Sequence, residues 1–105
     1  MEQPDATIHQ PVRLKIMAAL KPLPPGEMLE FMRLKTIAGA TEGNLGAHIT
    51  TLENAGYVNV EKDFAAKRPR TRVALSKAGR RAFEDYVAYL RDIIDENPAP
   101  LSAKP

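Results

Sequence analysis

The chain contains no cysteine, which removes disulfide bridges, thiolate zinc sites and cysteine nucleophiles together. That composition suits a reducing cytoplasm, the localisation expected here. No apolar run approaches the ~20 residues needed to span a bilayer. The opening Met1-Glu2-Gln3-Pro4-Asp5 is acidic and proline-bearing, unlike a signal peptide. Histidine occurs twice, at His9 and His48, with no cysteine beside either, so no metal site is expected. The serines are Ser76, placed as a helix cap, and Ser102, near the chain end. Without a nucleophile beside a base, catalysis has no support and no cofactor is implied.

Net charge is also scarce, at +2, but it is distributed unevenly. Between Lys62 and Arg81 eight cations stand against the single acid Asp63, a local balance of +7. From Glu84 to Glu96 five acids oppose Arg91 alone, a balance of −4. A molecule polarised in this way turns one face toward a polyanion and the other away from it. With 105 residues, 44% of them hydrophobic, there is material for one domain over 1–96 with one modest core.

Proline and glycine mark the element boundaries. Pro11 opens a helix expected to reach Leu20, with Ile8, Val12, Ile16, Met17 and Leu20 on its packing side. The Lys21-Pro22-Leu23-Pro24-Pro25-Gly26 stretch must be a loop. A second helix is expected over Glu27 to Ile37, where Met28, Leu29, Phe31 and Met32 give a broad apolar surface. Gly39-Ala40 breaks it, Thr41 caps a third helix running to about Ala55, and Gly56 terminates that helix. Alternation then predicts a strand with Val58, Val60, Lys62 and Phe64 on one face. Its return over Arg70 to Leu75 encloses a basic loop, Ala65-Ala66-Lys67-Arg68-Pro69. A last helix spans about 76–95, and the proline-rich 97–105 is expected to be disordered.

On the third helix Leu45, Ile49 and Leu52 form the buried stripe, leaving Gly43, Asn44, Ala47, His48 and Thr51 on the other side. Asn44 carries the donor and acceptor that read adenine, Thr51 and His48 can bond a base or a phosphate, and Gly43 and Ala47 let backbone approach closely. An ordinary solvated helix face has the same composition. At the hairpin, Lys67, Arg68 and Arg70 suit phosphates or a narrow minor groove, and also suit a solubilising turn, while Arg72 and Lys77 are placed for phosphate contacts. Arg80 and Arg81 are placed to pair with Glu84 and Asp85 one turn on. Along the last helix Phe83, Tyr86, Val87, Leu90, Ile93 and Ile94 form an apolar face long enough for a two-fold helix pair, and its first half also fits closure of the domain's own core.

The order helix, helix, helix, hairpin, helix is that of a winged helix-turn-helix domain, mainly α with a small β-hairpin (α-α-α-β-β-α). Asn44 to Val58 resembles the recognition helix and first wing strand of small regulators related to the ArsR and MarR families, and Lys67 to Arg80 is similar to their wing tip, return strand and last-helix start. The resemblance covers residues 8 to 94. It implies a homodimeric transcription regulator binding double-stranded DNA, with Thr41 and the residues above in the major groove and the 62–72 wing on the flanking backbone. Metal sensing does not transfer, because that branch relies on cysteines near its recognition helix. Nor is there room for the extra helices of larger MarR-type proteins, and no residue pattern names a small-molecule effector. Two other readings share the elements: a winged helix that docks a protein, for which an acidic or apolar wing is the expected sign, and an RNA binder.

Overall fold

The computed structural model describes residues 4–96; the expected disorder of 97–105 lies outside them. Helix α1 (Pro11–Leu20) begins with Pro11 at its first position, and the Gln10 side chain accepts a hydrogen bond from the Arg13 amide at 2.8 Å. Its residues Ile16, Met17 and Leu20 are buried, and Ile8 joins them from the segment before it.

The stretch expected to be one helix, Glu27 to Ile37, divides in two. Met28–Glu30 is a short strand, β1, and only Phe31–Ala38 is helical, as α2. Pro24, Pro25 and Gly26, whose φ is 83°, turn the chain so that Met28, Leu29 and Glu30 lie opposite Ala74, Val73 and Arg72 of the sheet. Pairing with an open sheet edge outweighs a local apolar pattern that a short segment cannot resolve into helix or strand. The broad apolar surface shrinks accordingly. From α2 only Leu34 and Ala38 are buried, while Met32 and Ile37 are exposed.

α2 ends at Gly39 in the left-handed conformation, φ 63°, and α3 (Glu42–Asn54) starts under the Thr41 cap, whose hydroxyl accepts from the Asn44 amide at 3.2 Å. Gly56, φ 81°, turns the chain into β2 (Val58–Ala65), which pairs antiparallel with β3 (Arg68–Leu75) from Val58↔Leu75 to Ala65↔Arg68. The turn is therefore only Ala66 and Lys67, both at positive φ (52° and 67°), the handedness that matches the twist of a tight hairpin. Pro69 is not in the loop; it sits in β3 across from Phe64. The sheet order is β1-β3-β2, with one strand more than expected. Val58, Val73 and Leu75 pack in one core with residues of all four helices.

α4 (Lys77–Glu96) is entered through a tight junction. The Ser76 hydroxyl donates to the Gly56 carbonyl at 2.6 Å and accepts from the Gly79 amide at 2.9 Å, and the Ser76 amide donates to the Tyr57 carbonyl at 3.0 Å. Arg80 does not take up Glu84. Its guanidinium donates to the carbonyls of Lys21 and Leu23, both at 3.1 Å, and Glu84 pairs with Lys21 at 3.4 Å. Two loop carbonyls with no helical partner of their own are satisfied in this way, which ties the proline-rich loop to α4.

A Cβ added at Gly79 would stand 2.0 Å from the Tyr57 carbonyl oxygen, whereas one added at Gly46, within α3, meets nothing within 4 Å. Gly79→Ala should therefore lower unfolding free energy by about 3 kcal/mol or more, since backbone must move. Gly46→Ala should raise it by roughly 0.5–1 kcal/mol through helix propensity. Urea denaturation of both variants checks this; equal midpoints would refute the close approach at Gly79.

Candidate nucleic-acid interface

On α3 the division into buried and exposed faces follows the sequence. Leu45, Ile49 and Leu52 are buried, while Thr41, Gly43, Asn44, Ala47 and Thr51 are exposed. The Thr51 hydroxyl donates to the Ala47 carbonyl at 3.1 Å, which leaves its oxygen outward as an acceptor. His48 departs from the expectation of a free outward side chain. It is only partly exposed, and its Nδ1 lies 2.9 Å from Nη1 of Arg13. Guanidinium nitrogens only donate, so Nδ1 accepts and the ring proton resides on Nε2. Burial, and secondarily the Arg13 charge, hold the His48 pKa below its usual 6.5. At neutral pH His48 is thus an uncharged ring carrying an Nε2–H donor.

Arg13 was missed from sequence, where it merely points away from the packing side of α1. The fold brings it against α3 and fixes it from behind, its Nε donating to the Thr7 carbonyl. Thr7 is itself held by Asp5, whose Oδ1 accepts from the Thr7 amide at 2.9 Å and whose Oδ2 accepts from the Tyr57 hydroxyl. No periodicity or motif signals a contact across 35 positions of chain.

The hairpin cations fall into two groups. Arg70 makes a bidentate pair with Asp63, 2.9 Å at both contacts, and Arg72 donates to Glu61 at 3.0 Å and to Asp63 at 3.2 Å. These four lie on one face of the hairpin, as the Asp63↔Arg70 and Glu61↔Arg72 register requires. The Arg70 hydrogen bond, with the nearby charges of Arg70 and Arg72, outweighs desolvation and holds the Asp63 carboxyl below its usual range; the same bond raises the Arg70 pKa. Lys67 and Arg68 at the tip and Lys62 farther back on β2 are exposed and, among the described residues, have no carboxylate within ion-pair distance. The free positive charge therefore belongs to Lys62, Lys67 and Arg68, while Arg70 and Arg72 are engaged within the hairpin.

Along α4 the six apolar residues grouped from sequence separate. Tyr86 is buried inside the domain, 4% exposed, with its hydroxyl 2.8 Å from His9 Nδ1. Phe83, Val87 and Leu90 are half-buried, and Ile93 and Ile94 are 40% and 66% exposed. Phe83 and Val87 line an open groove of about 620 Å³ that also touches Lys21, Arg91 and Asp95. A smaller hollow of about 350 Å³ lies between α1 and α4, walled by His9, Leu14, Lys15 and Tyr86.

A polar-faced helix following a short turn, with a cationic hairpin behind it, defines the winged helix-turn-helix class. Residues 12–94 match the family of the winged helix DNA-binding domain, and the chain belongs to that family. It is 38% identical over 76 residues to an uncharacterised protein of Methanocaldococcus jannaschii, covering 72% of this chain and 79% of that one. A solved structure from Pyrococcus horikoshii, described as a transcriptional regulator homologue, superposes with a TM-score of 0.77 at 33% identity over 88% of each chain. A MarR-family regulator from Streptomyces coelicolor shares the fold, with a TM-score of 0.66 at 20% identity over 84% of this chain and 58% of that one.

Because the folded protein binds a proton at His48 more weakly than the unfolded chain does, acid favours unfolding at this site. Its contribution is nil well above pH 6.5. It turns unfavourable as pH falls through that value and levels off beneath the depressed folded pKa. Denaturant midpoints measured between roughly pH 8 and 5 should fall more for wild type than for His48→Gln. Parallel curves would contradict the partly buried, Arg13-bonded state of the ring.

Proposed function

We propose that the protein is a homodimeric, sequence-specific transcriptional regulator that binds double-stranded DNA and acts by occluding it, as a repressor. One observation carries this reading: the uncompensated cations Lys67 and Arg68 at the tip, with Lys62 on the strand below them, belong to a hairpin rooted directly behind the exposed polar face of α3. A wing that docks a protein would not concentrate free positive charge at its end. The description of the Pyrococcus horikoshii neighbour as a transcriptional regulator homologue supports the regulatory role. Repression is the mode that needs DNA occupancy alone.

In this reading α3 enters the major groove. Asn44 offers a bidentate donor and acceptor to adenine, the Thr51 oxygen and the His48 Nε2–H reach base edges or phosphates, and Gly43 and Ala47 admit close approach. Thr41, already spent as the cap, keeps the amides of the first turn ordered near a phosphate. Lys67 and Arg68 lie on flanking backbone or in the minor groove, while Arg70 and Arg72 stiffen the wing through Asp63 and Glu61. The dimer would form through the distal half of α4, a helix ~30 Å long whose Ile94 remains exposed. Two recognition helices about one DNA turn, ~34–36 Å, apart then call for a palindromic site.

For a dimer neutralising about eight phosphates, log K should fall against log salt with a slope near −7. Lys67→Ala and Arg68→Ala should weaken binding to every duplex and flatten that slope by about one per phosphate lost at each site, whereas Asn44→Ala and Thr51→Ala should cost roughly 1–3 kcal/mol on preferred sequences alone. Fluorescence titrations with specific and unrelated duplexes, and with an RNA duplex as competitor, separate these outcomes. Equal losses on all sequences for all four variants, or stronger binding of RNA, would defeat the assignment.

Ile94→Asp places a charge in the α4 pairing surface without touching the buried core. Sedimentation equilibrium should show a dimer for wild type and a monomer of unchanged Tm for the variant. A monomeric wild type at the concentrations that occupy DNA would refute the two-fold arrangement.

A further inference from the structure

Phe64 is the most exposed large apolar side chain among the described residues, at 73%, and it stands at the wing tip, far from the core that buries Val58 and Val73. Six residues of extended chain separate it from Val58, about 20 Å at 3.3 Å per residue. Domain stability gives no account of it: the exposed neighbour Lys62 shows that a polar residue suits the same face. The pairing register places Phe64 on the side of the hairpin that carries Val58, Val60, Val73 and Leu75. That side covers α3, whose Leu45, Ile49 and Leu52 share the core with Val58 and Val73. Phe64 thus overhangs on the same side of the sheet as α3.

Its surroundings specify what it meets. Directly across the ladder is Pro69, exposed and without an amide proton, so the tip presents a ring backed by a rigid apolar ring. Lys62 lies two residues back on the same face, Lys67 is in the turn, and Arg68 adjoins Pro69 on the other face; these are the hairpin cations left without a carboxylate partner among the described residues. An apolar protein partner would have to desolvate those charges, whereas a nucleic-acid minor groove supplies phosphates to them and sugar and base surface to the ring. The two-residue Ala66-Lys67 turn keeps the tip narrow enough to enter such a groove.

From this juxtaposition we propose that Phe64, backed by Pro69 and steered by Lys62, Lys67 and Arg68, is an apolar wedge that enters the duplex minor groove beside the α3 contact and opens a base step there. The proposal rests on the DNA-binding reading and adds to it a deformation of the DNA. Specificity would then extend to flanking positions that no polar side chain reads, through the ease with which pyrimidine–purine steps unstack.

The test uses full-length protein and a duplex enriched by wild type from a randomised pool, carrying donor and acceptor dyes at its ends and 2-aminopurine in the flank facing the wing. Wild type and Phe64→Leu should bend the duplex by roughly 20–90° and raise 2-aminopurine emission. Phe64→Ser should bind roughly tenfold more weakly, leave both signals near those of free DNA, and keep the salt slope, because no cation is removed. An unchanged Tm for Phe64→Ser establishes that the variant is folded. Binding and bending by Phe64→Ser equal to wild type overturns the wedge while leaving the DNA-binding reading intact. Failure of wild type to enrich any duplex overturns both.

Discussion

The contact between Gly79 and the Tyr57 carbonyl fixes the relation between α3 and the wing. No side chain fits there, because a Cβ would fall 2.0 Å from the oxygen, so the first turn of α4 lies directly on the root of β2. Ser76 closes the junction with three hydrogen bonds, reaching Gly56, Tyr57 and Gly79. The end of α3, the start of β2, the end of β3 and the start of α4 meet at this point, so the hairpin leaves the domain in one direction only. From the same residue the Tyr57 hydroxyl extends to Asp5, whose hydrogen bond, more than burial, pushes its pKa up to about 12 and keeps it a donor across the physiological range. Asp5 holds Thr7, Thr7 holds Arg13, and Arg13 holds His48 of α3. One backbone approach is thus connected through hydrogen bonds to the geometry of α3.

Charge on the wing is arranged by position as much as by amount. The Asp63 and Glu61 carboxylates hold Arg70 and Arg72 along the hairpin shaft, where the ion pairs are partly exposed and individually weak, yet together they restrict the strands' relative motion. Positive charge with no carboxylate partner among the described residues is left to Lys62 on the strand and to Lys67 and Arg68 at the tip. The acidic stretch from Glu84 to Glu96 lies on α4, away from this tip in sequence. A charge distribution polarised in this way is what the proposed DNA-binding reading requires.

Much of this was legible in the sequence, and the exceptions have physical causes. Thr41, Gly39 and Gly56 act through local backbone chemistry, so the limits of α3 could be read directly. The Leu45, Ile49, Leu52 stripe needed only helical periodicity. β1 was hidden because Met28, Leu29 and Glu30 become a strand only by pairing with Ala74, Val73 and Arg72, more than forty positions away. The hairpin turn was overestimated because Ala66-Lys67 lacks the glycine or asparagine that advertises a two-residue reversal; both residues accept positive φ under the constraint of the ladder. At the interface residue types alone could not separate Arg70 and Arg72 from Lys67 and Arg68. That distinction depends on cross-strand register, which sets carboxylates opposite the first two only. Arg80 went to loop carbonyls instead of Glu84 because partly buried acceptors with no helical partner compete effectively with an exposed helical ion pair.

The central claim is that α3 and the wing tip together read duplex DNA. Selection from a randomised duplex pool at moderate salt tests it most directly, with Lys62, Lys67 and Arg68 all changed to alanine as the control. Wild type should enrich a two-fold symmetric motif, and the folded control should not. Failure of both proteins to enrich any sequence would contradict it and turn attention to a protein partner.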